Sequence, residues 1–241
     1  VPTRFSCLTG AYPSRSTNSI LGPLAKQPSI RNGTAFRPDE KTIVQVLRHA
    51  GYYTGATGKW HNDLDLKDLW KNIPKNADPR SPQIIANLKA IQDELRVRLD
   101  TYGFDYAECL TGENLDHFPS ELEHHNIEYT VKGAVDFLDQ VPEDKPFFLW
   151  TAFTTTHGPH EPIDSGDVRN TPAGFAEEHL GLMPDRSSYI DKNDKWRNVV
   201  KEMVLWMDGG IGVILDKLEV QGQLDNTLII FLSDQQNAGK A

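Results

Sequence analysis

The sequence predicts an α/β fold with a largely parallel central sheet flanked by helices. Three observations predict it. PFFLWTAF and TLIIFLSD are short, continuous apolar runs, the pattern of strands covered on both faces. Amphipathic segments with helical spacing stand before and between these runs. Polar clusters follow where the strand-like runs end, the rhythm of alternating helices and parallel strands.

The elements follow in chain order. VPTRFSCLTGAYPSR is a dense turn-and-helix motif. In PDEKTIVQVLRHAGY, Pro38 and Asp39 supply a start signal, Ile43, Val46, Leu47 and Ala50 recur at helical spacing, and Gly51 is the stop. YYTGATGKWH reads as a strand ending in Gly58 that then presents Lys59, Trp60 and His61. LWKNIPKNADPRSPQ is polar and Pro-rich, an excursion over the surface. PQIIANLKAIQDELRVRLDTYGF resumes a helical period, whereas YGFDYAECLTGENLDHF has none. EYTVKGAVDFLDQVPEDKP is a helix with Val131, Val135 and Leu138 on one face, followed by the strand PFFLWTAF. From TTTHGPHEP to about Asp194 the chain is rich in Gly, Pro, Asp and Ser and reads as loop. A long helix loosened by Gly209, Gly210 and Gly212 then passes through the turn GQLDN into the buried strand TLIIFLSD.

Composition limits what such a fold can bind. With 38% hydrophobic and 24% charged residues, the 241 residues suffice for one sizeable core or two small ones. Thirty-four acidic against 25 basic residues leave a net charge of -9, which argues against nucleic acid or an anionic membrane surface as the main partner. Any bound anion must therefore meet a local cluster of cations. No apolar stretch approaches the ~20 residues of a membrane span, and no secretory leader is visible. Cys7 and Cys109 are the only cysteines, without metal-ligand spacing, and read as buried free thiols.

In open α/β sheets ligands sit beyond the carboxyl ends of the strands. Three strand ends here carry suitable chemistry: Lys59 and His61, His157 and His160, and Asp234 with Gln235. The types are complementary, combining cations, imidazoles able to move a proton and an oxygen pair suited to a hard divalent metal.

The opening stretch resembles the signature of the sulfatase family, in which a Cys or Ser is followed by any residue, Pro, Ser or Thr, Arg, two residues, Leu-Leu-Thr-Gly, a basic residue, Tyr and Pro. Pro2, Thr3, Arg4, Leu8, Thr9, Gly10, Tyr12 and Pro13 fall in register, with Cys7 where a Leu is usual. GYYTGATGKWH, DKPFFLWTAFTTTHGPHEP, MDGGIGVILDKLEVQGQLDNTLIIFLSDQQ and the final AGKA resemble further blocks of the same family in the same order. The resemblance implies an alkaline-phosphatase-like α/β sandwich, and a chain that is a partial catalytic domain over residues 1–241. The first metal-binding strand and the nucleophile would lie before Val1, and the remaining strands and the C-terminal part after Ala241.

The resemblance also implies a chemistry: hydrolysis of a sulfate monoester through a formylglycine hydrate immediately before Val1, with Ca²⁺, or Mg²⁺, as the metal. Arg4 and Lys59 match the residues that hold the hydrate, and Lys240 the lysine that binds sulfate. His61 matches the histidine that helps the hydrate eliminate sulfate, and His157 the one that protonates the leaving oxygen, a task suited to an imidazole with pKa of about 6.5. Asp234 and Gln235 match metal ligands, Gln235 standing where Asn is usual. Asn62 replaces the usual Leu after the histidine and, with Asp63 or Asp65, is assigned to the leaving-group side; His160 is a second candidate for lining the substrate pocket. The partner expected is a sulfated small molecule or glycan, and the family implies export to a periplasmic, extracellular or lysosomal compartment.

Other residues have weaker claims. Asp116 and His117 occupy a loop able to approach the site, His124 and His125 read as a surface pair, and Asn32 opens an NGT glycosylation pattern. Three alternatives stay open: a phosphonate or phosphodiester hydrolase of the same superfamily, a homologue without a nucleophile that binds sulfated glycans, and a fragment with no activity of its own.

Overall fold

The computed structural model describes residues 2–12, 36, 40–60, 62, 67–192 and 198–234. Its centre is a three-stranded parallel sheet of order β2-β1-β3, the α/β class predicted from the sequence. Helix α1 spans Pro2–Thr9 and α2 spans Ile43–His49. The start of α2 is set at Thr42, whose hydroxyl accepts from the Gln45 amide while the Gln45 side chain accepts from the Thr42 amide. This reciprocal cap places the helix start later than the Pro38 and Asp39 signal, and those two residues lie outside the described ones. Val44 is the residue α2 buries, with Leu47 half-buried, while Ile43 and Val46 are exposed. The inward face is thus one position off the predicted one.

Strand β1, Tyr53–Lys59, is central and almost wholly buried. Its small residues let helices approach closely. A Cβ at Gly58, which has φ of +80°, would collide with the Ala152 carbonyl. After the short helix α3, Lys67–Trp70, comes α4, Pro82–Thr101. Ser81 caps α4, Pro82 sits where no amide partner is needed, and Ile84, Leu88, Ile91, Leu95 and Leu99 form its buried stripe.

Strand β2, Tyr106–Thr111, lies in the stretch that shows no period in the sequence. Its register with β1 shifts between Ala56 and Gly58, and Cys109 takes φ of 52° at that irregularity. A bulge breaks the alternation a sequence reading depends on. Helix α5, Ile127–Gln140, is capped by Asn126 and packs through Gly133 against Thr57 and Cys109.

Strand β3, Phe147–Ala152, is half-buried along its whole length rather than buried. It has β1 on one side and no strand on the other among the described residues. Its side chains still divide by pleat. Phe148 and Trp150 join the core under α1, α2 and α4, while Phe147 and Leu149 join the smaller core with Phe137, Leu138 and Leu218.

Beyond β3 the predicted loop holds a small antiparallel ribbon, β4 Asn170–Thr171 with β5 Gly174–Phe175. Helix α6, Val199–Val220, runs unbroken through Gly209, Gly210 and Gly212. The first two glycines admit close contacts: Gly209 faces Tyr189, and Gly210 faces Ile127 and Val131 of α5. No described helix is long and apolar enough to cross a membrane.

The segment 227–234, predicted as a buried strand, pairs with no strand among the described residues, and Leu228, Ile230 and Phe231 are exposed. Its apolar character needs two covered faces that the described residues do not provide.

Candidate active site

The parallel strands deliver their carboxyl ends to one rim. Lys59 closes β1 with its side chain only 5% exposed as a residue, and its Nζ donates to Asn114 Oδ1 at 2.6 Å. Trp60 follows, fully buried, and its amide donates to Thr111 O of β2 at 2.9 Å, fixing the path of the chain beyond the strand. The Trp60 carbonyl accepts from Arg4 Nη1 at 3.3 Å. Arg4 projects from α1 and is itself buried; its Nη2 stands 3.3 Å from Asp234 Oδ2. One guanidinium therefore ties α1, the end of β1 and the end of the 227–234 segment together.

Two buried cations side by side are costly, and both respond to it. Burial pushes the Lys59 ammonium down to about 8, Arg4 adds to the depression, and Asp234, Glu113 and Asp116 oppose it. Burial also lowers Arg4, with Asp234 restoring part of the loss. The rim therefore holds positive charge that solvent does not neutralise, in a chain of net charge -9.

The loop after β3 carries His157 and His160, both exposed. β3 pairs with β1 up to Gly58 and Ala152, so this loop starts beside the Lys59 end of β1. His157 Nδ1 lies 3.0 Å from Gly158 O; a carbonyl only accepts, so Nδ1 carries the proton and Nε2 is the atom able to take or give one. His160 Nε2 donates to Thr156 O at 3.0 Å.

Of the predicted residues, Arg4, Lys59 and Asp234 converge, and His157 and His160 stand on the adjoining loop. His61, Gln235 and Lys240 lie outside the described residues, as do Asp63, Asp65 and Asn32. Asn62 is 1% exposed, and neither atom of its amide has a hydrogen-bond partner among the described residues.

The 112–118 loop does reach the site, through Asn114 and the charge of Glu113. Asp116 and His117 are exposed, with His117 Nδ1 3.5 Å from Glu113. Asn114 was missed because a lone Asn in a polar loop carries no periodic signal. The surface reading of His124 and His125 is corrected: His125 is 8% exposed, and His124 is largely covered and paired with Glu161 at 2.8 Å. Cys7 is half-buried rather than core, and burial together with Asp234 raises its thiol; Cys109 is buried and pushed up to about 12. Neither thiol is a nucleophile at neutral pH.

A hard cation suits the oxygen chemistry of Asp234. Among the described residues, however, no three His, Cys, Asp or Glu side chains are grouped to hold a metal, and Asp234 turns to Arg4. Asp234 is one oxygen donor, and Gln235, the other predicted ligand, lies outside the described residues.

The family model described as Sulfatase matches residues 1–238. The chain is 30% identical over 279 residues to an N-acetylgalactosamine-6-O-sulfatase of Bacteroides thetaiotaomicron, covering 97% of this chain and 48% of that protein. It is 26% identical to the uncharacterized sulfatase YdeN of Escherichia coli (strain K12) and 25% identical to the N-acetylgalactosamine-6-sulfatase of Homo sapiens, covering 97% of this chain in each case and 38% and 40% of those proteins. The chain thus spans less than half the length of these relatives. Among solved structures, Ps i-CgsB in complex with k-i-k-neocarrahexaose shares the fold, with a TM-score of 0.53 at 22% identity over 93% of this chain and 45% of that one.

Proposed function

The chain belongs to the sulfatase family, and we propose that it forms part of the catalytic domain of a sulfuric ester hydrolase acting on a sulfated carbohydrate. One observation carries the reading: two buried cations, Arg4 and Lys59, meet Asp234 at the carboxyl ends of the parallel strands. A sulfate monoester keeps its negative charge on the non-bridging oxygens throughout hydrolysis, so fixed, desolvated positive charge is what the reaction needs. The carbohydrate assignment draws on the relatives named as N-acetylgalactosamine sulfatases.

Each residue then has a task. Lys59 and Arg4 hold the attacking group and add fixed positive charge, and Lys240 binds the sulfate oxygens. A protonated His157 gives the proton on Nε2 to the ester oxygen as the sulfur–oxygen bond breaks, so that the alcohol leaves neutral. His61 serves the return of the site to its resting state, and His160 and Asn62 contribute to the substrate side. A formylglycine hydrate at the position before Val1, as the family resemblance implies, would supply the attacking oxygen. Asp234 and Gln235 are the residues that would contribute to holding calcium or magnesium, which would supply further positive charge.

The test compares turnover of 4-nitrophenyl sulfate and bis(4-nitrophenyl) phosphate by the full-length protein. A preference for the sulfate ester of at least about 100-fold in kcat/KM, roughly 2.7 kcal/mol in the transition state, is expected. Preference for the diester moves the chain to the phosphodiester branch, and binding without turnover of either makes it a glycan-binding homologue.

A further inference from the structure

His125 stands immediately before Asn126, the cap of α5, and is buried although the sequence around it is polar. Its two ring nitrogens reach two points of one loop: Nδ1 lies 2.8 Å from Thr154 Oγ1, and Nε2 lies 3.0 Å from Pro159 O. Thr154 follows β3 and Pro159 follows His157 by two residues. We propose that His125 is a positioning residue that pins the His157 loop at both ends and so presents the His157 imidazole at the carboxyl end of β3. The role of His157 rests on the sulfatase reading; the pinning does not.

The chemistry selects a neutral imidazole. Pro159 O only accepts, so Nε2 carries the proton, and Nδ1 accepts from the Thr154 hydroxyl. Both nitrogens are thereby used with fixed polarity. A carboxylate would face the Pro159 carbonyl with no proton to give, and a lysine would add a third cation. Burial, with lesser contributions from His157 and Lys59, brings this ring down to about 4, so it is neutral at physiological pH.

The loop between the two anchors is closed by one further bond, from the His157 amide to Thr154 O at 3.1 Å. The neighbouring Asn126 works the same way on the next stretch, its Nδ2 donating to Val168 O at 3.1 Å and to Asn170 O at 2.7 Å. The start of α5 is therefore the fixed point from which the chain beyond β3 is held.

The test is hydrogen–deuterium exchange over residues 154–160, with kcat and KM for 4-nitrophenyl sulfate, in the full-length protein. His125→Phe fills the space without a polar atom, His125→Gln restores one donor and one acceptor, and Thr154→Val removes one anchor while leaving the ring. In His125→Phe, loop exchange should quicken by about tenfold or more while α4 and β1 keep wild-type rates. Its kcat should fall about 10- to 100-fold with KM changed less than about threefold, and His125→Gln should recover part of both. Wild-type loop exchange in a folded His125→Phe, or exchange that rises equally in every element, overturns the proposal. If that variant does not fold, Thr154→Val decides by the same readouts: faster exchange confined to the loop supports the pinning, and unchanged exchange refutes it. Absence of sulfate-ester turnover in the wild type defeats the sulfatase reading, while exchange still decides whether the loop is pinned.

Discussion

Arg4 Nη2 lies 3.3 Å from Asp234 Oδ2, an ion pair between residues at opposite ends of the chain. The same guanidinium donates to the Trp60 carbonyl, so the N-terminal helix, the central strand and the 227–234 segment meet on one side chain. The arginine is buried and the aspartate is 41% exposed. The pair therefore fixes the guanidinium in place beside Lys59 and stabilises both cations in their charged forms.

Lys59 sets an alkaline limit. Its ammonium, usually at 10.5, is lowered to about 8 by burial and by Arg4. Turnover should fall as pH rises through about 8, because one of the fixed cations of the site is lost. Stability should move the other way. Between about pH 8 and 10.5 the unfolded chain holds more protons than the folded one at this residue, so its contribution to folding improves as pH rises through that window. Lys59→Met should melt at least as high as the wild type near neutral pH and lack both the activity and this pH dependence, as read by thermal melts across pH 6 to 10.

Asn114 holds the Lys59 ammonium through its amide oxygen at 2.6 Å. Asn114→Leu removes the acceptor that favours the charged form, so the alkaline limb of the rate profile should move to lower pH. Asn114→Asp puts a full negative charge there and should move the limb to higher pH. Opposite displacements in the pH dependence of kcat/KM, in two variants with wild-type melting, identify the contact.

Gly58 separates backbone strain from a steric clash. Gly58→Ala places a methyl group against the Ala152 carbonyl at a φ of +80° and should cost about 2–4 kcal/mol. Gly222→Ala, at φ of +67° with open space around it, should cost only about 1–2 kcal/mol. Urea denaturation of both variants measures the difference.

The residue preceding Val1 in the full-length protein should carry formylglycine or its hydrate. Peptide mass determination across that position checks it; an unmodified or inert residue there leaves the cations without a nucleophile and favours glycan binding without turnover.

Much of this was legible in the sequence. The helical period of α4, the helix α5 and the strand ending in Lys59 follow from local rules, and the order of the motif blocks pointed to Arg4, Lys59 and Asp234, which the structure brings together. Strand β2 was not legible, because Glu108 interrupts its apolar residues and a bulge at Cys109 breaks the alternation. The run Leu228–Leu232 was read as buried, yet an apolar run reveals only that it wants covering, and the cover must come from elsewhere in the tertiary structure. His125 and Asn114 were missed because their partners, Thr154, Pro159 and Lys59, are 29 to 55 residues away. No local pattern records such contacts.

The most direct measurement is release of inorganic sulfate from a sulfated N-acetylgalactosamine and from 4-nitrophenyl sulfate, by the full-length protein and its Arg4→Ala and Lys59→Met variants. The expected result is catalytic release by the wild type, reduced at least about 100-fold in each folded variant. Release undiminished by either substitution, or none from the wild type with formylglycine in place, would contradict a sulfatase site built on these two cations.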